Sequence, residues 1–304
     1  MCDQRKSRII PSRITLSRYN GSMTEKRTQP IIVGFVADLM FTMKIANVAR
    51  HSGFEMKWIE TAVSLSDDEA SLPEPLGESL HGRTGQLFRQ ITQWQPALLL
   101  FDLGNDAIPW RKWLPALKSS PATRRIPIMA YGSHVDVATL QEAEQLGADF
   151  VYPRSRFTAV MPQLFRECAR VPDYAALTDF CERPLPPLAR EGIELFNQGQ
   201  YYQCHDALEE AWRQEKGPGR DLYRGILQIG VACYQILRGN YRGAVKMLLR
   251  ARQWLEPLPD QCQGVNIARL RANAAEIYDN LTALGSDRIK DFDPGLIQPI
   301  ELIG

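Results

Sequence analysis

Up to about residue 170, apolar residues fall into short blocks separated by segments of helical period; from residue 188 onward only the helical period remains. "PIIVGFVADLMF" holds a buried strand, Ile31 to Val36, followed by an acid at Asp38. "FTMKIANVARHSGF" places Met43, Ile45, Val48 and Ala49 at helical spacing and stops at Gly53. "EMKWIETA" predicts a second strand, and the polar, Pro-containing stretch 63–80 a loop insertion. "GQLFRQITQWQ" predicts a helix, "PALLLFDL" a third strand ending at Asp102, and "WRKWLPALKSS" a helix broken near Pro115. "RIPIMAYG" gives a fourth strand, "DVATLQEAEQLGA" a helix closed by Gly147, "DFVYP" a short fifth strand, and "AVMPQLFRECARV" a closing helix.

Five short apolar strands alternating with helices predict a parallel sheet covered on both faces, a flavodoxin-like α/β domain over residues 31–170. Chemistry in such sheets gathers at the carboxyl ends of the strands. Asp38, Asp102 and the Tyr131-Gly132-Ser133-His134 stretch all follow strands. Residues 171–187, with four prolines, read as a linker. Residues 188–285 predict an all-α antiparallel bundle: "LAREGIELFNQG" ends at Gly199, and a second helix runs from Tyr201 to Gln214. Next comes a nearly all-apolar central helix with Asp221 as N-cap and Gly239 as stop. A further helix presents Ala244, Met247, Leu248, Ala251 and Leu255 on one face, and a last one uses Ile267, Leu270, Ile277 and Leu281. The tail 286–304 reads as extended and laid on the surface.

Composition narrows the function classes. The chain has 304 residues, 44% hydrophobic and 23% charged, as for an ordinary two-domain globular protein. Its net charge of +1 creates no global field towards nucleic acid or an anionic membrane. No apolar run reaches the roughly 18 residues of a membrane span. The six cysteines, Cys2, Cys168, Cys181, Cys204, Cys233 and Cys262, lack CxxC spacing and read as reduced thiols of a cytoplasmic protein. Residues 1–30, rich in Arg, Lys, Ser and Thr, lack the apolar core of a secretory leader and read as a disordered or extended segment, with Met23 as an alternative start.

Residues 31–170 resemble the receiver domain of bacterial response regulators. "PALLLFDLGND" is similar to the strand carrying the phospho-accepting aspartate, which maps to Asp102; "IPIMAYGSH" is similar to the strand ending in the switch Ser/Thr, and "GADFVYPRSRF" to the G-A-D-x-Y-x-x-K-P-F stretch. The departures are substantial. One acid, Asp38 after Ala37, stands where receivers carry two; Ala130 or Tyr131 occupies the switch position with Ser133 late; Arg154 replaces the lysine and Ser155 the proline. Phosphoryl transfer to a carboxylate needs a metal and a cation on the transferred group. Arg does not reproduce the geometry of Lys. The resemblance therefore implies a degenerate pseudo-receiver, with at most weak Mg²⁺ binding at Asp38 and Asp102 and no other cofactor; the other reading makes Asp102 a strand-end acid that caps the next loop.

The second half resembles an uncharacterised bacterial helical-bundle family, a domain of unknown function with the signature F-N-x-G-x-[YF]-x-x-x-H-[ED]-x-L-E-x-x-W, then G-[LI]-[IL]-Q and R-G-N-x-x-G-A. Phe196, Asn197, Gly199, Tyr201, His205, Asp206, Leu208, Glu209 and Trp212 match it in order. So do Gly225 to Gln228 and Arg238, Gly239, Asn240, Gly243 and Ala244. Asp206 stands where Glu is commoner. Within this stretch Tyr201, His205, Leu208, Glu209 and Trp212 share one helical stripe, expected to face the core. Three readings follow. His205 and Glu209 could ligate a metal, with Glu194 or Asp221 completing the set. They could form an acid–base pair in a pocket with Arg224 and Gln228. Or they could satisfy each other in a buried network capped by Trp212. The last is favoured, so no metal is expected. Tyr201, Trp212, Arg224, Gln228 and Asn240 are the pocket candidates; Gly239 and Asn240 should make a tight helix–helix turn and Gly243 a close helix approach.

These readings lead to a cytoplasmic regulatory or interaction protein, a receiver-like module coupled to a bundle that binds a protein partner or small ligand. The alternative is an enzyme with its site around His205 and Glu209. A tetratricopeptide-like scaffold lacks its 34-residue repeat. DNA binding is not expected, since Arg238, Arg242, Lys246, Arg250 and Arg252 spread along a helix that reads as solvated. A membrane is not expected either, and a homodimer is allowed.

Overall fold

The computed structural model describes residues 29–62 and 82–303; the expectations for residues 1–28 (with Cys2) and for the 63–80 insertion lie outside them. The first half alternates β1 (Ile31–Phe35), α1 (Leu39–His51), β2 (Glu55–Trp58), α2 (Gly82–Trp94), β3 (Leu98–Asp102), α3 (Trp110–Ser119), β4 (Ile128–Gly132), α4 (Val137–Gln145), β5 (Phe150–Pro153) and α5 (Arg154–Cys168). The strands form one parallel sheet in the order β2-β1-β3-β4-β5. That order is the flavodoxin-like doubly wound topology, whose switch point lies between β1 and β3.

Side chains alternate along the strands, and both faces are buried. Val33, Phe35, Leu99, Phe101, Ile128 and Ala130 pack under Leu87, Ile91, Trp113, Leu117 and Ala143 of α2, α3 and α4. Ile32, Leu98, Leu100, Met129 and Tyr131 pack under Ile45 and Ala49 of α1 and Phe157, Met161 and Phe165 of α5. Two expectations change here. Helix α3 runs unbroken through Pro115, because Trp113, Leu114 and Leu117 are buried on either side of it. Burying three such residues, at roughly 1.5–3 kcal/mol each, outweighs the roughly 3 kcal/mol an internal proline costs. Helix α5 begins at Arg154, earlier than its pattern suggests, and carries its irregularity at Val160, ahead of Pro162.

The second half comprises α6 (Tyr174–Cys181), α7 (Pro187–Asn197), α8 (Tyr201–Gln214), α9 (Asp221–Leu237), α10 (Tyr241–Leu255), a two-residue hairpin of β6 (Gln261–Cys262) and β7 (Val265–Asn266), and α11 (Ile267–Leu284). The proline-rich stretch thus holds a helix: the Asp173 side chain accepts from the Ala176 N–H at 3.0 Å, and Leu177 and Phe180 enter the bundle core. Short connections at 198–200, 215–220 and 238–240 fold α7 to α10 back on one another, with Gly199 and Gly239 at positive φ as the turns require. Helix α9 is central, as its apolar circumference implies. Its Gly225 allows α10 to close in, since a Cβ there would stand 2.5 Å from Cδ2 of Leu255. The four positions expected to bury α11, Ile267, Leu270, Ile277 and Leu281, do so.

Three local readings are corrected. Asp221 is the first helical residue of α9 and not its N-cap; the N-cap position is Arg220. Gly243 serves no helix approach: a Cβ there would stand 2.7 Å from Nδ2 of Asn240, whose Oδ1 accepts from the Gly243 N–H at 3.0 Å. The tail is drawn into the core, with Phe292 and Ile300 buried and Leu302 bridging to Val265. Asn197, a signature residue, holds it, donating to the Ile300 carbonyl at 3.0 Å and accepting from the Ile300 N–H at 2.7 Å.

The cysteines also depart from expectation. Cys181 and Cys262 form a disulfide that ties α6 to the hairpin, while Cys168, Cys204 and Cys233 are buried free thiols. The two partners are 81 positions apart, so no local spacing announces them. With two thiols oxidised, cysteine usage no longer argues for a reducing compartment. No helix among the described residues is long and apolar enough to cross a membrane.

Candidate functional site

The carboxyl ends of β1 and β3 meet at the switch point, and Asp102, the last residue of β3, sits there only 4% exposed. Pairing with β4 sets Asp102 beside Tyr131. Nη2 of Arg154, the first residue of α5, donates to Oδ2 of Asp102 at 2.9 Å and to Oδ1 at 3.1 Å, and the Gly104 N–H donates to Oδ1 at 3.0 Å. The guanidinium lies 5.4 Å from the ring centroid of Phe41 and 5.6 Å from that of Tyr131. Tyr131 stacks on Phe157 with centroids 4.4 Å apart. Burial, and then the Asp102 charge, push the Tyr131 phenol above its ordinary range, and its hydroxyl has no hydrogen-bond partner. Arg154 is therefore an anchored cation, held by one carboxylate and two aromatic rings.

Asp38 does not join it. It is exposed and caps α1, its Oδ1 accepting from the Phe41 N–H at 3.1 Å. Mg²⁺ keeps near-octahedral oxygen coordination. Here the one buried carboxylate already carries a guanidinium across both oxygens, and the second acid is turned to its own helix. The residues present do not fit Mg²⁺.

The His205 stripe lies elsewhere than its pattern suggests. On α8 the buried residues are Cys204, Leu208 and Ala211; Leu208 alone belongs to the stripe, and the other two each precede a stripe residue by one position. His205 and Glu209 keep 34% and 31% of their side-chain surface exposed. Nδ1 of His205 is 3.2 Å from Oδ1 of Asp206 and Nε2 is 3.9 Å from Oε2 of Glu209, while Glu209 accepts from Nη2 of Arg213 at 2.8 Å. The pair is a half-exposed cluster on a helix flank and not a buried network. Among the described residues, no three of His, Cys, Asp or Glu stand together as a metal would require.

The pocket candidates divide. Tyr201 packs edge-on to Phe196 with centroids 5.2 Å apart, and burial near Cys233 and Cys204 pushes its phenol up to about 12; it belongs to the core. Asn240 caps α10 and donates to Oε1 of Gln235 at 2.8 Å, a turn residue throughout. Gln228 is buried with its Oε1 unpaired. Trp212 and Arg224 do meet: the guanidinium stands 5.2 Å from the indole centroid, and that of Arg220 4.4 Å from it. Sequence reasoning missed the partner on α10, Trp254, which stands 4.1 Å from Arg224. Its signal was present as a second tryptophan four positions after Arg250, on what reads as a solvated basic helix. Arg250 is half-buried there, with its Nε enclosed.

Strand order and register define the first half as a doubly wound, receiver-type sheet, joined to a helical bundle. Within the bundle, residues 189–247 match the family described as "Domain of unknown function (DUF309)". The chain is 28% identical over 91 residues to an uncharacterized protein of Aquifex aeolicus (strain VF5), covering 30% of this chain and 27% of that protein. It is 25% identical over 97 residues to the uncharacterized protein YpuF of Bacillus subtilis (strain 168), covering 31% and 56%. It thus spans about a quarter and just over half of these relatives. Solved structures similar to the first half include the phosphorylated cyanobacterial phytochrome response regulator RcpA, at 15% identity and a TM-score of 0.35 over 46% of this chain and 94% of that one. The chemotaxis response regulator CheY4 of Vibrio cholerae is similar at 8% identity and a TM-score of 0.35, over 46% and 99%.

Proposed function

We propose that this chain is a regulatory protein of the signal-transduction class, in which a pseudo-receiver held in one state by Arg154 is coupled to a helical bundle that binds a partner or small ligand. In this reading the receiver-like unit spans residues 31–170, 171–187 connects the units, the bundle spans 188–285, and 286–304 is its tail. The reading places the protein in the cytoplasm. The observation that carries it is the Arg154–Asp102 pair, which puts a fixed cation where receiver chemistry would need a metal and a transferable phosphoryl group. Coupling is supported at the other end of the sheet. Nε2 of Gln253 on α10 donates to the Pro121 carbonyl, and Ala122 is buried among bundle residues such as Val245 and Leu249.

Hydrogen exchange on the full chain tests the coupling. In Arg154→Ala, protection should change around Asp102 and also in residues 119–126 and 241–255. A change that leaves residues 241–255 as in the wild type would overturn the regulatory reading. The enzyme reading around His205 and Glu209 draws on one observation, their 3.9 Å approach, with Glu209 already engaged by Arg213.

A further inference from the structure

The seam between the two halves holds more than the Gln253–Pro121 contact. A cleft of about 340 Å³ opens there, between Pro30, Ala97 and Ile126 at the amino ends of the strands and Asp221 and Trp254 of the bundle. Arg125 and Arg170 line it from the sheet side. Their guanidinium groups lie 4.1 Å and 6.0 Å from the Trp254 ring centroid, and Arg224 approaches the same ring at 4.1 Å. Arg224 and Arg220 also cover Trp212, so cations and indoles alternate from α8 across α9 and α10 to the sheet domain.

This cluster holds more positive charge and more donors than the protein satisfies. Ion pairs are made by Arg111, Arg154, Arg213, Arg269 and Arg271. Among the described residues, Arg124, Arg125, Arg170, Arg220, Arg224 and Arg250 make none. Partial burial, with neighbouring arginines adding to it, pulls Arg125 and Arg250 below the ordinary guanidinium value, and Arg224 likewise although Asp221 opposes the shift. Asp221 stands among four of them as the central counter-charge. Nε of Arg220 and of Arg250, and Nε1 of Trp212 and of Trp254, are buried without an acceptor. Buried donors are almost always paired, with protein, water or a bound ion. Of these four, Trp254 lines the cleft; Arg220 and Trp212 stand behind it in the same run of cations and indoles, and Arg250 adjoins Arg224.

We propose that the seam binds a small phosphate-bearing ligand, with the guanidinium groups of Arg125 and Arg170 closing on its oxyanion against Trp254 of the bundle. Planar guanidinium forks match phosphate oxygens two at a time, and phosphate offers the multiple charges and acceptors that this surplus demands. The cleft has the size of a small-molecule site. Asp173, Asp221 and Glu256 also line it and set negative charge against a long polyanion, so a small ligand fits better than a nucleic acid. The proposal gives the ligand-binding part of the proposed function its chemistry and rests on that part alone; it requires nothing of Asp102.

Titration of the full chain with pyrophosphate, by calorimetry at constant ionic strength, tests it. One saturable site per chain is expected. Arg125→Gln and Arg170→Gln, both at exposed positions, should each weaken it about tenfold or more without altering the melting temperature of the unliganded protein. Arg242→Gln, the same charge change at an exposed site on α10, should leave affinity unaltered. Asp102→Asn should do the same, which separates this proposal from the regulatory reading. Absence of saturable binding in the millimolar range would overturn the proposal, as would equal affinity in the Arg125 and Arg170 variants. Binding of a short single-stranded oligonucleotide with none of pyrophosphate would also overturn it and assign the seam to nucleic acid.

Discussion

Nη2 of Arg154 lies within 3.1 Å of both carboxylate oxygens of Asp102. An aspartate attacks a phosphoryl donor through a free oxygen, with a metal drawing off charge. Both oxygens here are engaged by a cation that is itself held between Phe41 and Tyr131. Incubation with Mg²⁺ and acetyl phosphate should therefore leave the intact mass unchanged. A stoichiometric phosphoryl adduct that disappears in Asp102→Asn would restore an ordinary receiver.

The same pair should matter for stability. Arg154→Ala strands a carboxylate that is nearly fully buried and keeps only the Gly104 N–H. Arg154 itself is 45% exposed on its side chain, so solvent screens part of the interaction. A loss of about 1–3 kcal/mol is expected, and Asp102→Asn in the same chain should recover much of it. Denaturant melts of the two single variants and the double variant give the coupling directly. Additive losses would mean that the two side chains do not act on each other.

His205 is the opposite case. With a third of its side chain exposed and its acid partners solvated, His205→Ala should cost no more than about 0.5–1 kcal/mol. A larger loss in thermal melts would show a burial in solution that the half-exposed geometry does not contain.

The disulfide carries a conditional prediction. Linking Cys181 to Cys262 closes a loop around α7 to α10. Such cross-links stabilise by about 2–4 kcal/mol, mainly through the unfolded chain. Cys181→Ser should lower the melting temperature in oxidising buffer, and excess reductant should bring the wild type to the same value. If reductant leaves the wild type untouched and both thiols react with an alkylating agent in native protein, the bond does not form.

The strands were readable as compact apolar blocks, and the bundle helices by sustained apolar periods with stops at glycines in left-handed turns, as at Gly199 and Gly239. The fate of the His205 stripe was not. Helical spacing says which residues share a face, but only packing says which face is covered, and α8 is rotated so that Cys204 and Ala211, one residue before His205 and Trp212, point inward. The Arg154–Asp102 pair was half readable: the residue types were visible, but their direct contact depends on α5 starting at Arg154 itself. The seam was unreadable, since its contacts join residues as far apart as Pro121 and Gln253, 132 positions. No local pattern links a basic loop to a tryptophan on a distant helix.

Asp221 allows the electrostatics of that seam to be tested by pH. Burial raises its carboxyl above the usual 3.8, and Arg224, Arg170, Arg125 and Arg220 pull the other way without prevailing. A carboxyl whose folded value is raised contributes stability that is present below its unfolded value and lost as pH rises through the folded one. Ionised Asp221 is thus a net cost to the unliganded fold at neutral pH. Asp221→Asn keeps the shape and removes the charge, so it should raise the melting temperature at pH 7. The gain should shrink as pH falls towards the unfolded value, where the wild type is protonated too. If the arginines prevailed over burial, the signs would reverse: the variant would melt earlier at pH 7 and approach the wild type in acid. Melting curves of both proteins from pH 3 to pH 8 distinguish the two, and a variant less stable than wild type at neutral pH would mean that Asp221 is the counter-ion that holds the seam together.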